Sequence, residues 1–272
     1  MTATTDVTEA TAVTAPPTNR PGEISGWPKL VVTYTTEPAK AAVLLPPGLE
    51  PLDPVVTVAF YCVPVLGEPE LGVSVKIEAG WQGVAGQYNV GLGIDQEAAV
   101  HISAETNGQP KFLCDITYFR FGDSVTARAS HQGYTFVEVT GTVTGEVPPR
   151  RGDVVEHEWW VKYSRAIGGA EGAYDLPPRV VDVATTFEQR HLEDVDGELV
   201  LRDSPWDPIA RHLPMVEPGR AQLVTHQPKA RAITDAGPLD PAAFWPHADV
   251  IGGSRWPGHR GGPKGEGDGR HH

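Results

Sequence analysis

Cysteine is almost missing from this chain: Cys62 and Cys114 are the only thiols among 272 residues. Both lie in apolar runs and read as reduced core residues more than as a disulfide, which fits a reducing cytoplasm. A cationic surplus is missing as well. Lys and Arg number 22 against 35 Asp and Glu, a formal net charge of -13, which is the wrong sign for a protein whose main work is neutralising phosphates. Nucleic acid is therefore not an expected partner. No apolar run approaches the roughly 20 residues that cross a bilayer. The stretch Met1 to Gly22, rich in Thr and Ala, has neither the basic start nor the apolar segment of a secretory signal. A soluble, cytoplasmic protein without a membrane partner is expected.

Several chemical signatures are absent too. His157-Glu158-Trp159-Trp160 lacks the second histidine of a zinc-binding helix, and no glycine-rich phosphate loop follows a strand. Serine, histidine and aspartate occur in no nucleophile elbow. No metal and no cofactor is implied. Arg151-Gly152-Asp153 reads as a turn after Pro148-Pro149.

Glycine (30) and proline (26) make up about a fifth of the chain, below the roughly 25 to 30% at which disorder throughout is the default. The expected organisation is a disordered leader over 1–22, one domain over 23–245 and a flexible Gly/Pro/His/Arg-rich tail over 246–272, whose histidines His259, His271 and His272 pre-organise no metal site.

Within the domain, short alternating segments dominate. In Val73-Ser74-Val75-Lys76-Ile77-Glu78 the aliphatics take one face and Ser74, Lys76 and Glu78 the other, the period of a strand. Tyr88, Val90, Leu92 and Ile94 alternate likewise, and the two segments are expected to form a hairpin whose turn draws on Gly80, Gly83 and Gly86. Further strands are predicted over Lys29–Thr35, Val55–Val63, Asp115–Phe121, Ser124–Ala129, Tyr134–Val143, His157–Tyr163, Arg179–Phe187 and Glu198–Leu201. Glu37-Pro38, Asp207-Pro208 and Asp240-Pro241 each open a short helix with proline at its first position. Asp95 to Ala104 fits helix or strand. Many short strands between Gly and Pro turns predict a mostly β (α+β) fold with a closed or sandwiched antiparallel sheet.

One residue stands out chemically. Lys111 follows Asn107-Gly108-Gln109-Pro110 and precedes Phe112-Leu113-Cys114, with no carboxylate within three residues. Burial in apolar surroundings favours the neutral amine, a carbonyl nucleophile. Ordinary lysine keeps its proton to about pH 10.4, so half-neutralising it at pH 7 costs roughly 4 to 5 kcal/mol, which desolvation can supply. The alternative is a surface lysine after a proline.

The order of segments resembles the acetoacetate decarboxylase family. The blocks that carry the likeness are Leu44-Leu45-Pro46-Pro47-Gly48-Leu49-Glu50, Gly83 to Tyr88, Asp95 to Val100, Glu105 through Pro110-Lys111, and Ser204 to Pro214. It spans roughly Ile24 to Val224. The resemblance implies a closed, cone-like antiparallel β-barrel or double sheet with a few short helices, a homo-oligomer, and a Schiff base on Lys111. In the decarboxylases a second lysine follows the nucleophile, whereas here that place holds Phe112. The family's early-strand arginine for the substrate carboxylate aligns with Trp27, which removes an anion clamp. The family's glutamate before the hairpin aligns with Lys76 or Glu78. If their shared face lines a cavity, Glu78 is the candidate general acid or base and Lys76 binds an anion or holds Glu78 ionised; otherwise the two form a solvated salt-bridge face.

Family members that run aldol, dehydration or cyclisation chemistry on 2-oxo acids resemble a pattern with an amide four positions before the lysine, where Asn107 stands, although Asn-Gly is also the commonest tight-turn pair. Gln109 and Glu105 are further candidates. Tyr88, Trp159, Trp160 and Tyr163 either wall the pocket or pack the core. The expected function is a Schiff-base-forming lyase acting on a small oxo acid through Lys111, by aldol, dehydration or cyclisation chemistry in a specialised pathway. A β-oxo-acid decarboxylase, or a non-covalent binder or product-shaping cyclase on the same fold, are the alternatives.

Overall fold

A computed structural model describes residues 27–65 and 68–248. The expected leader over 1–22 and nearly all of the expected tail lie outside the described residues. The helix Pro241–His247 continues past residue 245.

Strand β1 (Lys29–Thr35) leads into helix α1 (Pro38–Leu44), and the chain returns as β2 (Glu50–Val65), β3 (Glu68–Trp81) and β4 (Val84–Ile94). Helix α2 (Glu97–Asn107) precedes β5 (Lys111–Leu113), then the meander β6 (Asp115–Phe121), β7 (Ser124–His131) and β8 (Tyr134–Glu146). The last elements are β9 (Asp153–Arg165), β10 (Tyr174–Leu201), α3 (Ile209–His212), β11 (Glu217–Pro238) and α4 (Pro241–His247). The strands join in the order β11-β1-β2-β3-β4-β9-β10-β8-β7-β6, and β11 also pairs with β10. That extra pairing closes a seven-stranded ring. The β6–β8 meander continues from the far end of β10, where Glu193 to Leu201 pair with β8.

The expected mostly β fold with a few short helices is present, and its sheet is antiparallel except at two pairings. Strands β5 and β9 both run parallel to β4; for β5, helix α2 carries the chain back across the sheet before the strand starts. Two predicted strands, Arg179–Phe187 and Glu198–Leu201, are parts of the single 28-residue β10. Its long partner β11 was not predicted as a strand; its exposed residues from Gln227 onward interleave polar and small apolar types without a clean period. The segment Asp95 to Ala104 is mostly helix α2. All three short helices occur, with Pro38 and Pro241 at the first position of α1 and α4, whereas Pro208 stands one place earlier, as the residue before α3; Asp240 caps α4 by accepting from the Ala242 and Ala243 N–H groups.

The β3–β4 hairpin is present, but its turn uses Gln82 (φ 50°) and Gly83 (φ 80°), the pair of positive φ angles of a tight hairpin turn. Gly80 and Gly86 sit in the ladder instead, opposite Ala85 and Ala79. At Gly86 a Cβ would lie 2.6 Å from the His157 carbonyl oxygen, so the bare backbone there lets β9 approach β4 and complete the ring.

Strand β3 has an apolar and a polar face. Val73, Val75, Ile77 and Ala79 of β3 belong to the main core with Val56, Val58 and Phe60 of β2 and with Val125, Ala127 and Ala129 of the meander. The apolar face of the barrel therefore points outward, covered by the second layer. Its other face, bearing Glu70, Ser74, Lys76 and Glu78, is left to the barrel interior. Both cysteines are free and buried. No helix among the described residues is long and apolar enough to cross a membrane.

Candidate active site

Lys111 starts β5 and pairs with Leu92, which itself pairs with Ser74 on the inner face of β3. Pairing on that side turns the amine inward, while Phe112 points outward onto His131 and Phe136. Gly108 holds this entry in place. It ends α2 with φ 69°, and a Cβ there would lie 2.5 Å from the Lys162 Cα, so α2 and β9 touch backbone to backbone.

The carboxylate beside the amine is Glu70. Lys111 Nζ lies 3.2 Å from Glu70 Oε2, and the two side chains are 9% and 4% exposed. Along the chain no carboxylate is near Lys111; in space one is, because β3 and β5 flank β4. Tyr61 of β2 adds a hydroxyl that bonds Glu70, and burial first, then the Glu70 charge, pushes that phenol well above its ordinary range. It therefore stays a donor at neutral pH. Leu92 and Ile94 pack with Tyr61 and with Ala99 and Val100 of α2, closing this end of the barrel.

A second group of charges occupies the same interior. Lys76 pairs with Glu158 of β9, reaching across β4. Glu158 also accepts from Asn89 Nδ2 at 2.8 Å and from the Trp160 indole. Burial pushes the Glu158 carboxyl up, but Lys76, Asn89 and Trp160 outweigh it and the net direction is down. Asn89 Oδ1 is buried without a partner among the described residues. Lys29 of β1 belongs here too: burial, then the Lys76 charge, pushes its ammonium down, against Glu156 and Glu158. Arg231 of β11 lies over the Trp160 ring, 5.8 Å from its centre. Glu158 pushes the Tyr61 phenol further up and Arg231 opposes it.

Other sequence-derived candidates take different places. Glu78 faces inward but lies eight residues from Glu70, roughly 26 Å along an extended strand, and its carboxylate accepts from Gln87 Nε2 at 2.8 Å. Burial raises its carboxyl, with Gln87 opposing. It is not the group that meets Lys111. Tyr88 faces the opposite way, into the main core, because a bulge between Val75 and Lys76 brings Asn89 opposite Lys76. Trp27 lies edge-on to Tyr118 at 6.3 Å, in the outer layer; from that segment it is Lys29 that enters the chamber. Asn107 is the last residue of α2 and Gly108 its left-handed cap, so the pair ends a helix and makes no hairpin. Gln109 is a half-buried loop residue whose carbonyl accepts from Lys111 N at 2.8 Å. Glu105 is exposed and offers its carbonyl to Lys162. Trp159 and Tyr163 pack the core, and Trp160 alone of these aromatics walls the interior, with Val181 and Val183.

Glu70, Tyr61, Lys29, Glu158 and Arg231 were not singled out from sequence. For Glu70 a signal existed: continuing the alternation of Ser74, Lys76 and Glu78 backward through Gly72 reaches it. Among the described residues no cluster of three or more His, Cys, Asp or Glu fits a metal ion.

His226 of β11 stacks on Phe187 at 3.8 Å. Burial first, then the Lys29 charge, lowers its imidazole to about 4. A histidine depressed in the folded state takes up its proton first in the unfolded chain, so its contribution is intact above about pH 6.5 and is lost as pH falls toward 4. Discounted for partial exposure, the loss between pH 7 and pH 5 is on the order of 1 kcal/mol. Urea midpoints should record it in the wild type and show it reduced in His226→Gln, and an NMR titration placing His226 near 6.5 would refute it.

A sequence profile described as acetoacetate decarboxylase (ADC) matches residues 4–234. A search of curated proteins finds no match. Among solved structures, one described as acetoacetate decarboxylase superposes with a TM-score of 0.68 at 15% identity, covering 78% of this chain and 87% of that one. The acetoacetate decarboxylase of Legionella pneumophila gives 0.64 at 15% identity, covering 85% and 93%. The enduracididine biosynthesis enzyme MppR complexed with pyruvate gives 0.61 at 19% identity, covering 76% and 88%. A further structure of MppR holds the condensation product of pyruvate and imidazole 4-carboxaldehyde.

Proposed function

The chain belongs to the acetoacetate decarboxylase family, and from that premise we propose that it is a Schiff-base-forming lyase in which Lys111 condenses with the carbonyl of a small oxo acid. The observation that carries this reading is the enclosed Lys111–Glu70 pair at 3.2 Å. Lys111 must release a proton before it attacks, and Glu70 is the acceptor within reach. The amine then adds to the carbonyl carbon, and Glu70 returns the proton to the departing hydroxyl, which leaves as water with the C=N bond formed. The iminium acidifies the adjacent carbon, and the resulting enamine serves decarboxylation, aldol addition or dehydration alike.

Aldol, dehydration or cyclisation chemistry is the favoured outcome. The strand segment that carries an arginine in the decarboxylases presents Trp27 to the outer layer, and Phe112, in place of a second lysine, turns away from the chamber. MppR, similar in fold, is described with pyruvate and with a condensation product, which agrees with this choice. Borohydride reduction of the whole chain with pyruvate, followed by peptide mass analysis, should place the reduced adduct on Lys111. Reduction that leaves Lys111 unmodified with every oxo acid tried would exclude the covalent route and favour a non-covalent binder.

A further inference from the structure

We propose that Tyr61 is a positioning residue for the reaction at Lys111: its phenol, lying over the bare backbone of Gly72, holds the Glu70 carboxylate in the orientation that meets the amine. This rests on the reading of Lys111 and Glu70 as the pair that forms the Schiff base.

Gly72 is where a side chain is missing. Tyr61 of β2 pairs with Gly72 of β3, and Gly72 in turn pairs with Ile94 of β4, so all three share one face of the sheet. A Cβ built on Gly72 would lie 2.0 Å from Tyr61 Cζ and 2.2 Å from the Tyr61 hydroxyl oxygen. The end of the ring therefore rests directly on the β3 backbone. Gly72 takes no positive φ, so the strand itself does not call for glycine at this position. The ring does: a glycine inside a strand lets another group approach closely, and any larger residue would push the phenol aside. The rest of the ring is held by Leu92 and Ile94 of β4 and by Ala99 of α2, which pack with it.

Glu70 stands two residues before Gly72, and alternate residues of a strand share a face. The phenol that crosses β3 at Gly72 thus arrives beside the Glu70 side chain, and it bonds that carboxylate. On its other side Glu70 offers Oε1 and Oε2 to Lys111 Nζ at 3.5 and 3.2 Å. The last torsion of a glutamate is broad, so the amine alone leaves the carboxylate free to turn. A second donor, fixed from another strand, removes that freedom. Proton transfer needs the carboxylate within hydrogen-bond reach of the amine, and a misplacement of about 1 Å costs on the order of 100-fold in rate.

The test follows exchange of pyruvate methyl protons for solvent deuterium in the full chain. Tyr61→Phe keeps the ring over Gly72 and deletes only the hydroxyl. Exchange at saturating pyruvate should fall about 10- to 100-fold, the span of a lost hydrogen bond to a charged group, while half-saturation by pyruvate moves less than about threefold. Gly72→Ala, which crowds the ring from below, should lower exchange likewise. In a Glu70→Gln background Tyr61→Phe should change the residual rate by less than about twofold, because the hydroxyl acts through a carboxylate that is gone. An equal loss in both backgrounds would overturn the inference, since Tyr61 would then act without Glu70. Wild-type exchange in Tyr61→Phe or in Gly72→Ala would overturn it too, while leaving the Schiff base intact. A wild-type protein that neither exchanges pyruvate protons nor yields a borohydride-trapped adduct would overturn the lysine reading and this one together.

Discussion

Lys111→Arg should lower the exchange of pyruvate methyl protons for solvent deuterium by on the order of 10⁴-fold or more, the scale seen when a covalent nucleophile is removed. Arginine keeps the positive charge and can still face Glu70, but a guanidinium forms no imine under these conditions. Loss of exchange therefore isolates the covalent step from the electrostatic one. Exchange needs only pyruvate, heavy water and NMR detection of the methyl signal, so it reads enamine formation without knowledge of the natural product. Retained exchange in the arginine variant would mean that the lysine acts as a charge alone, and the non-covalent reading would take over.

Glu70→Gln should slow the same exchange by about 10² to 10⁴-fold, the usual worth of a positioned acid–base group. The amide keeps the size of the side chain and a contact with Tyr61 but accepts no proton from Lys111. Two readouts separate this from general damage to the fold. Prolonged borohydride trapping should still place the adduct on Lys111 in the glutamine variant, and Glu70→Asp should recover part of the exchange rate. A Glu70→Gln protein that exchanges at the wild-type rate would remove Glu70 from the mechanism. Glu78→Gln, by contrast, changes a group held by Gln87 at the far end of β3 and should leave exchange within a few-fold of wild type.

Lys111 could be singled out from sequence as a candidate because its setting is local: a proline before it, apolar residues after it, and family blocks in order around it. Its partner was not legible by the same route. Glu70 stands 41 positions earlier, in Glu68-Pro69-Glu70, where prolines obscure the start of the strand. The alternation was read only from Val73, which left Lys76 and Glu78 as the visible candidates. The sequence left Tyr88 open between pocket wall and core for a related reason. A strict period of two from Leu92 and Ile94 carries it to the chamber face, but the bulge beside Lys76 turns Tyr88 into the core and brings Asn89 into the chamber, and a bulge leaves no mark in a hydrophobicity pattern.

Much of the architecture follows from the chain alone. Alternating aliphatics dictate strands, Gln82-Gly83 and Gln132-Gly133 supply the positive φ angles for turns, and prolines after acidic residues start the helices. These are short-range consequences of sterics and hydrogen bonding, each complete within a few residues. Which face of the strands turns inward was settled only by the tertiary structure. Val73 and Ser74 alternate identically in a barrel with a greasy interior and in one with a polar interior. The choice here falls to the β6–β8 layer, which covers the apolar face from outside and leaves the charged face to line the chamber. Glu70 meets Lys111, and Lys76 meets Glu158, because the sheet joins strands far apart in sequence.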